Sequence, residues 1–324
     1  MYKPTEAGTW KGRIDVHDGE AGKRWHQGMQ LLNLSAELSL AKPDQTIAFL
    51  GFCCEEGVER NQGRTGAVAG PAELRKAMAS FAWHLDDNSG LFDAGDVYCM
   101  NQNLEEAQKQ LGSKVAKLLQ HKYKTIVLGG GHETAYGHFT GILEALKPGQ
   151  QLGIINFDAH FDLRSYEKQP SSGTPFLQIA DDLHAVGKDF NYLVLGLQEQ
   201  GNTRRLFQTA VSLGADYVLA QDLQIHRIEK LKAQIEHFIA KVDLLYVSID
   251  LDVFAAAYAP GVSAPAALGV RPEIVLLLLQ EIIVSGKLLS LDVAELNPKY
   301  DLDSRTAKLG ANLIYHITKS WLKA

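Results

Sequence analysis

Residues 154–164 of the chain read I-I-N-F-D-A-H-F-D-L-R. The segment starts as an apolar strand and then places Asp158, His160 and Asp162 at alternate positions. Side chains of an extended chain alternate between two faces, so these three converge if the extended conformation continues. Two carboxylates and an imidazole at the end of a buried strand need a compensating charge, because burying unpaired charge is costly. The segment therefore indicates a candidate metal site.

Short apolar runs alternate with longer amphipathic runs over most of the chain. Several apolar runs are rich in Val, Ile and Leu without a polar face, which is typical of strands covered on both sides in a parallel sheet. The alternation predicts an α/β fold, either layered or a (β/α)₈ barrel. We predict eight strands over residues 46–52, 91–95, 125–129, 152–158, 192–197, 216–219, 244–250 and 288–293.

We expect residues 1–324 to form a single domain. No stretch is rich enough in Gly and Ser, or of low enough complexity, to predict a linker. Residues 1–45 do not follow the strand–helix rhythm, so we expect them to be an N-terminal extension packed on the domain. Within that extension, residues 24–39 are a candidate helix.

The composition argues against nucleic-acid-binding, disulfide-rich, secreted and membrane proteins. The formal net charge is −6 and no basic stripe is visible, which argues against a nucleic-acid partner. Three cysteines, two of them adjacent, do not suggest a disulfide framework. The N-terminus lacks an apolar signal segment, and the apolar run at 274–279 is too short to span a bilayer. We therefore expect a soluble, cytoplasmic protein without a membrane partner.

Two further polar clusters follow predicted strands. G-G-G-H-E covers residues 129–133, and S-I-D-L-D covers residues 248–252. Taken alone, the histidine could be a turn residue and the Asp-x-Asp a solvated loop. Ligands bind at the carboxyl ends of strands in layered α/β folds and in barrels alike, so together the clusters indicate one site. Mixed carboxylate and imidazole ligands without cysteine favour Mn²⁺ over structural zinc, and six ligands suggest two ions. The candidate ligands are His132, Asp158, His160, Asp162, Asp250 and Asp252.

These motifs resemble the ureohydrolase family, which includes arginase and agmatinase. The family pattern is G-G-x-H, then D-A-H-x-D, then S-x-D-x-D, and a glutamate like Glu295 in L-D-V-A-E-L-N-P follows the last strand. The resemblance implies a three-layer αβα sandwich with an eight-stranded, mostly parallel sheet, and two Mn²⁺ per chain. It implies one ion held by His132, Asp158, Asp162 and Asp250, and the other by Asp158, His160, Asp250 and Asp252.

Within the family, the chain is most similar to the formimidoylglutamase branch. It has S-S-G-T-P-F at 171–176, where arginases and agmatinases have a histidine at the position of Ser172, and Arg164 where arginases have asparagine. Ala255 and Ala256 replace the Asp-Pro that usually follows the third motif, and R-N-Q-G-R-T-G-A at 60–67 is also similar to that branch. The implied reaction converts N-formimidoyl-L-glutamate and water to L-glutamate and formamide, through attack of a metal-bridging hydroxide. The alternative is a guanidino hydrolase of the agmatinase or guanidinobutyrase type, which would release urea.

The resemblance also implies residue roles. Asp162 would move a proton to the leaving nitrogen, and Glu295 would orient the cationic formimidoyl group. A small acidic amidine needs cationic partners, and guanidinium suits carboxylate. For Arg60 and Arg64, pairing with a surface acid is the alternative. Relatives commonly form oligomers, so a homo-oligomer is possible. The candidate substrate-binding residues are Arg164, Ser172, Gly173, Thr174, Arg60, Asn61 and Arg64.

Overall fold

The computed structural model describes residues 1–323. Its central sheet has ten strands in the order β1-β4-β3-β5-β10-β9-β6-β7-β8, and β2 also pairs with β4. All pairings are parallel except that of β1 with β4. The strands are β1 (Tyr2–Lys3), β2 (Met29–Leu31), β3 (Thr46–Cys53), β4 (Gly90–Tyr98), β5 (Lys124–Leu128), β6 (Leu152–Phe157), β7 (Asn191–Leu197), β8 (Asp216–Leu219), β9 (Leu244–Asp250) and β10 (Leu288–Ala294).

Ten helices accompany the sheet, and the longer ones form a layer on each of its faces. Helices α3, α8, α9 and α10 bury apolar side chains against one face, and α4, α5, α6 and α7 against the other. No helix within residues 1–323 has both the length and the apolar character that crossing a bilayer requires. The helices are α1 (Trp25–Gly28), α2 (Glu56–Arg60), α3 (Gly70–Met78), α4 (Leu104–Gln120), α5 (Thr134–Ala145), α6 (Pro175–Ala185), α7 (Arg204–Ser212), α8 (Ile228–Ile239), α9 (Pro272–Val284) and α10 (Arg305–Trp321).

Strand β3 shows why the predicted strands carry no polar face. All its residues are buried. Ile47 and Phe49 pack into the core on one side of the sheet, while Ala48 and Leu50 pack into the core on the other. Because both faces are covered, both sets of alternate positions are apolar. The layered α/β fold is confirmed, and the barrel is excluded because the sheet is open, with edges at β1 and β8.

The predicted count of eight strands is wrong, because residues 1–45 supply two more. Tyr2–Lys3 and Met29–Leu31 add to the outer edge of β4, one antiparallel and one parallel. Strands of two and three residues are too short to show a periodic pattern, so the sequence did not reveal them.

The candidate helix at 24–39 is also wrong. Only Trp25–Gly28 is helical, and the chain then enters β2. The N–H of Leu32 donates to the carbonyl of Asp93 on β4, and the side chain of Asn33 accepts from the N–H of Ser35. Pairing with the edge of β4 and this local turn therefore replace the helix.

Candidate metal centre

Four adjacent strands in the middle of the sheet bring the polar clusters together. These strands lie in the order β5-β10-β9-β6. Their carboxyl ends lead into the G-G-G-H-E segment, Glu295, Asp250 and the D-A-H-F-D segment respectively. Parallel neighbours end at the same edge of a sheet, so segments separated by more than a hundred residues along the chain meet there.

His132 lies at the centre of the first ligand group. Its Nδ1 is 2.9 Å from Asp162 Oδ2, 3.1 Å from Asp250 Oδ2 and 3.2 Å from Asp158 Oδ2. An imidazole nitrogen carries at most one hydrogen, so it cannot satisfy three carboxylates by hydrogen bonding. A divalent cation coordinated by the nitrogen and the oxygens together would satisfy all of them.

His160 forms a second group on the other side of Asp158. Its Nδ1 is 3.2 Å from Asp252 Oδ2 and 3.4 Å from Asp158 Oδ1. Asp158 directs one oxygen to each histidine, so it belongs to both groups. The ligand atoms of His132, Asp158 and Asp250 lie within 4.8 Å of one another, and so do those of Asp158, His160 and Asp252. The six predicted ligands therefore meet as two overlapping sets of oxygen and imidazole donors, which suits a harder divalent ion.

The charges of this cluster are unbalanced. Burial alone lowers the pKa of His132, but Asp250, Asp158 and Asp162 outweigh it and raise that pKa well above its ordinary value. Burial, reinforced by the charges of Asp252 and Asp158, raises the pKa of Asp250 well above its ordinary value. Burial also raises the pKa of Asp252. The protein's own groups therefore hold protons to limit the negative charge, and a divalent cation can replace those protons.

Glu295 is a buried carboxyl beside the same cluster. Its Oε1 accepts a hydrogen bond of 2.8 Å from the backbone N–H of His132. Its Oε2 is buried and has no hydrogen-bond partner within residues 1–323. Burial, with added repulsion from Glu133 and Asp252, outweighs the nearby Ser263 hydroxyl and raises the pKa of Glu295 to about 8. The free oxygen is available to a donor that enters the site.

The backbone of the site is held in uncommon conformations. Asp162 has φ of 49° and Glu295 has φ of 69°, in the left-handed region that residues other than glycine rarely adopt. A Cβ at Gly130 would lie 1.8 Å from the carbonyl oxygen of Cys54, so only glycine fits there. The glycine run before His132 is therefore a steric requirement.

Two asparagines that the sequence analysis did not single out support the ligand segment. Asn156 donates through Nδ2 to Asp158 Oδ2 at 2.9 Å. The side chain of Asn202 accepts from the N–H of Phe161 at 3.0 Å and donates to the carbonyl of Ala159 at 2.9 Å. Asn156 precedes Asp158 by two positions, so the strand alternation that links Asp158 to His160 identifies it too. Asn202 lies on another loop and had no such signal.

Three of the predicted substrate-binding residues lie together beside Asp162. Arg164 donates through Nη1 to Asp162 Oδ1 at 3.1 Å, and its N–H donates to the carbonyl of Gly173 at 3.0 Å. A Cβ at Gly173 would lie 2.6 Å from Arg164 Nη1 and 3.1 Å from Asn61 Oδ1. Arg164, Gly173 and Asn61 therefore form a small polar cradle next to a candidate metal ligand, which we call the arginine cradle.

Ser172 and Thr174 flank Gly173 and are buried. The N–H of Ser172 donates to the carbonyl of Gly57 at 3.0 Å. The Thr174 hydroxyl donates to Gln178 Oε1 at 2.8 Å and accepts from the N–H of Ser171. Thr174 therefore fixes the shape of the loop, because its hydroxyl is already committed within the protein.

Arg60 is committed to partners within the protein. Its Nε donates to Glu56 at 2.9 Å, and its Nη1 donates to Glu105 at 2.6 Å. Its Nη2 donates to the carbonyl of Gln102 at 3.2 Å. The geometry therefore favours the alternative for this residue, in which it pairs with protein acids rather than with substrate.

Arg64 is likewise engaged within the protein. It donates to the backbone carbonyls of Val262 at 2.5 Å and Ser263 at 3.2 Å. Its guanidinium also lies over the ring of Tyr300, 4.2 Å from the centroid. These partners are carbonyls and a ring rather than the surface acid that was the expected alternative.

Comparison with known proteins agrees with this geometry. The sequence profile of the arginase family matches residues 45–319. The formimidoylglutamase of Chromobacterium violaceum is 46% identical over 310 residues, covering 96% of this chain and 97% of the relative. The formimidoylglutamase of Geobacillus thermodenitrificans is 44% identical over 311 residues, covering 96% of this chain and 95% of the relative.

Among solved structures, the Trypanosoma cruzi formiminoglutamase with Mn²⁺ superimposes with a TM-score of 0.76 at 26% identity, covering 88% of this chain and 96% of that one. The resemblance found from the motifs is thereby confirmed, both for the family and for the branch within it. The chain belongs to the arginase family.

Proposed function

We propose that this chain hydrolyses N-formimidoyl-L-glutamate to L-glutamate and formamide. The observation that carries the proposal is the arginine cradle, which places a guanidinium in contact with the candidate metal ligand Asp162. The substrate has two carboxylates beyond its formimidoyl group, and guanidinium is well suited to bind carboxylate. Agmatine, which has no carboxylate, would gain nothing from a guanidinium at the same place. The names of the similar relatives point to the same reaction.

A metal cofactor is supported by the overlapping ligand groups and by the family. We propose two Mn²⁺ per chain, with Asp158 and Asp250 shared between them. His132 and Asp162 would complete the ligands of one ion, and His160 and Asp252 those of the other. When bound, the two ions would activate water at neutral pH and polarise the amidine carbon.

Asp162 is our candidate for the residue that moves the proton. Its Oδ2 faces His132 and its Oδ1 accepts from Arg164, so the carboxylate lies between the ligand groups and the arginine cradle. A group at that position can take a proton near the metal ligands and release it towards the leaving nitrogen of the substrate. Its left-handed backbone conformation fixes this placement.

Glu295 would orient the formimidoyl group. Its buried Oε2 lacks a partner within the described residues, and a formamidinium N–H is a donor that can satisfy it. The pKa of about 8 leaves the carboxyl able to hold a proton near neutral pH until a cation arrives. Cation and carboxylate would then form a charge-assisted hydrogen bond shielded from water.

The arginine cradle would bind a carboxylate of the glutamate portion. Only Nη1 of the Arg164 guanidinium makes a hydrogen bond within residues 1–323, so its other N–H groups remain available. Asn61 adds an amide within reach, and Gly173 leaves the space that both need.

We also propose that the chain acts as one catalytic domain, with residues 1–45 extending its sheet.

The test is one assay in which the Mn²⁺-loaded protein receives formimidoylglutamate, agmatine, guanidinobutyrate and arginine in parallel. We expect formamide from formimidoylglutamate and little urea from the three guanidino compounds. Urea released efficiently from agmatine or guanidinobutyrate, without formamide from formimidoylglutamate, would refute the proposal and establish the alternative function. Protein treated with a chelator is the control for metal dependence.

A further inference from the structure

A stripe of polar side chains lies buried within the sheet, below the ligand groups. Tyr246 and Ser248 alternate with apolar residues on β9, and Ser290 and Asp292 do so on β10. The strands pair in register, with Ser248 opposite Asp292 and Tyr246 opposite Ser290. All four residues are fully buried. Burying a polar group is costly unless it is hydrogen-bonded, so the connections of this stripe need an explanation.

One arm of the stripe reaches His132. Its Nδ1 faces the carboxylates, while its Nε2 is 2.9 Å from Ser248 Oγ. Ser248 in turn donates to Asp292 Oδ1 at 2.6 Å. Because the serine hydrogen goes to Asp292, Nε2 of His132 must be the donor to the serine oxygen. In the neutral imidazole, Nδ1 is then left with its lone pair directed at the ligand groups, which is the form a metal requires.

The other arm reaches helix α5. His138 on that helix has its Nδ1 2.7 Å from Asp292 Oδ2. Tyr246 donates to the same oxygen at 2.5 Å. Helix α5 begins at Thr134, directly after the segment that carries His132. Asp292 therefore holds two points of one continuous stretch: His132 through Ser248, and the helix through His138.

We propose that Asp292 is a positioning residue for the metal centre, acting on His132 through Ser248 without touching metal or substrate. The inference rests on the proposed function, since it assumes that His132 is a metal ligand. The competing explanation is that the stripe only stabilises the fold. The two differ in one respect: positioning predicts a change in metal affinity that passes through Ser248, and a purely structural role does not.

The experiment measures Mn²⁺ affinity of the metal-free full chain by isothermal titration calorimetry, for wild type, Asp292→Asn, Ser248→Ala and the double variant. Partners that orient a ligand histidine are typically worth about 10- to 100-fold in metal affinity, so each single change should weaken the tighter Mn²⁺ site by about that factor. The double variant should lose little more Mn²⁺ affinity than the single variant with the larger loss, because both changes break the same connection. Ser248→Thr retains the hydroxyl and should therefore keep most of the wild-type Mn²⁺ affinity.

Asp93→Asn is the matched control. It removes another fully buried carboxylate, one held by Arg75 rather than by the ligand groups. We expect it to lower the melting temperature while leaving Mn²⁺ affinity within about threefold of wild type, because distant sites without shared partners couple only weakly. If Asp292→Asn does not fold, Ser248→Ala and Ser248→Thr carry the comparison alone.

Mn²⁺ affinity within threefold of wild type in folded Asp292→Asn and Ser248→Ala would overturn the inference. So would additive losses in the double variant. Failure of the proposed function shows up separately, as absence of formamide release by the wild-type protein, because the affinity measurement needs no substrate.

Discussion

Two groups of buried carboxylates in this molecule handle their charge in opposite ways. Asp93 and Asp96, near the edge of the sheet, share the guanidinium of Arg75 at 2.7 Å each. Asp93 also accepts hydrogen bonds from Trp10 and Thr5. This edge cluster is thus held by a permanent cation and by hydrogen-bond donors that the chain itself supplies.

The ligand cluster at the carboxyl ends of β6 and β9 has no lysine or arginine paired with Asp158, Asp250 or Asp252 within residues 1–323. Asp158, Asp250 and Asp252 share only two imidazoles, and Asp252 Oδ1 is buried without a partner within residues 1–323. This difference separates a structural cluster from a functional one. In the structural cluster a side chain of the protein supplies the cation, and the functional cluster needs a cation from solution.

The largest effect should come from removing the oxygens shared by both ligand groups. Asp158→Asn should lower turnover of formimidoylglutamate by about a thousandfold or more, because it weakens both metal sites at once. Metal analysis by mass spectrometry should show lost Mn²⁺, whereas Asp93→Asn should keep both metal and rate. An Asp158→Asn protein with full metal content and a tenth of the normal rate would contradict the assignment.

The edge cluster should respond in stability instead. Asp93→Asn leaves Arg75 buried with fewer partners, and breaking a buried pair from one side costs about 3–5 kcal/mol of unfolding free energy. Denaturant unfolding of the metal-free protein measures this cost. Asp96→Asn, at a more exposed site, should cost less. If Asp93→Asn unfolds like wild type, the edge cluster is not a stabilising element.

The same variant has a defined pH dependence. Burial alone would raise the pKa of Asp93, but Arg75 outweighs it and holds that pKa below its ordinary value. A lowered pKa contributes stability above the unfolded pKa of about 4, and this stability is lost as pH falls through the lower folded pKa. The difference in unfolding free energy between wild type and Asp93→Asn should therefore shrink below pH ~4.

A smaller effect is expected at the arginine cradle, which lies beside the ligand cluster but holds no metal. Arg164→Ala should raise KM for formimidoylglutamate by about 30-fold, since a hydrogen bond to a charged group is worth about 1.5–3 kcal/mol. Gly173→Ala should act in the same direction, because its Cβ would lie 2.6 Å from Arg164 Nη1 and displace the guanidinium. Steady-state kinetics should show kcat less affected than KM. A fall in kcat alone would assign Arg164 to the chemistry instead.

The last prediction concerns the pH dependence of metal binding. Burial raises the pKa values of Asp250 and Asp252, and their carboxylates raise those of His132 and His160 against the effect of burial. Protons therefore compete with Mn²⁺, and affinity should rise with pH by up to about tenfold per unit for each proton released. Titration calorimetry in buffers of different ionisation enthalpy counts those protons. Affinity that falls between pH 6 and 8 would contradict the charge imbalance.

The sequence predicted the core of the fold and which polar residues meet at its centre, for a physical reason. Strands buried on both faces leave continuous apolar runs, and ligands on them must follow strand alternation, so Asp158, His160 and Asp162 were visible as a pattern. The structure brings these residues together with His132, Asp250 and Asp252 as expected.

What the sequence could not show were contacts between distant segments and elements without periodicity. Asp292 appeared as one polar residue in an apolar run, and only the register of β9 and β10 connects it to Ser248. Arg60 and Arg64 looked equivalent to Arg164 as cations, yet the fold commits both to protein partners. Strands β1 and β2 were too short to recognise.

Those two short strands also cover a hydrogen-bonding edge of the sheet. Strand β4 would otherwise present an open row of backbone donors and acceptors along its outer side, a template on which another chain could pair. Tyr2–Lys3 occupies one half of that row and Met29–Leu31 the other. Trimming the first residues would leave the ligand cluster intact but expose part of a hydrogen-bonding edge, so the expected failure is aggregation rather than lost chemistry.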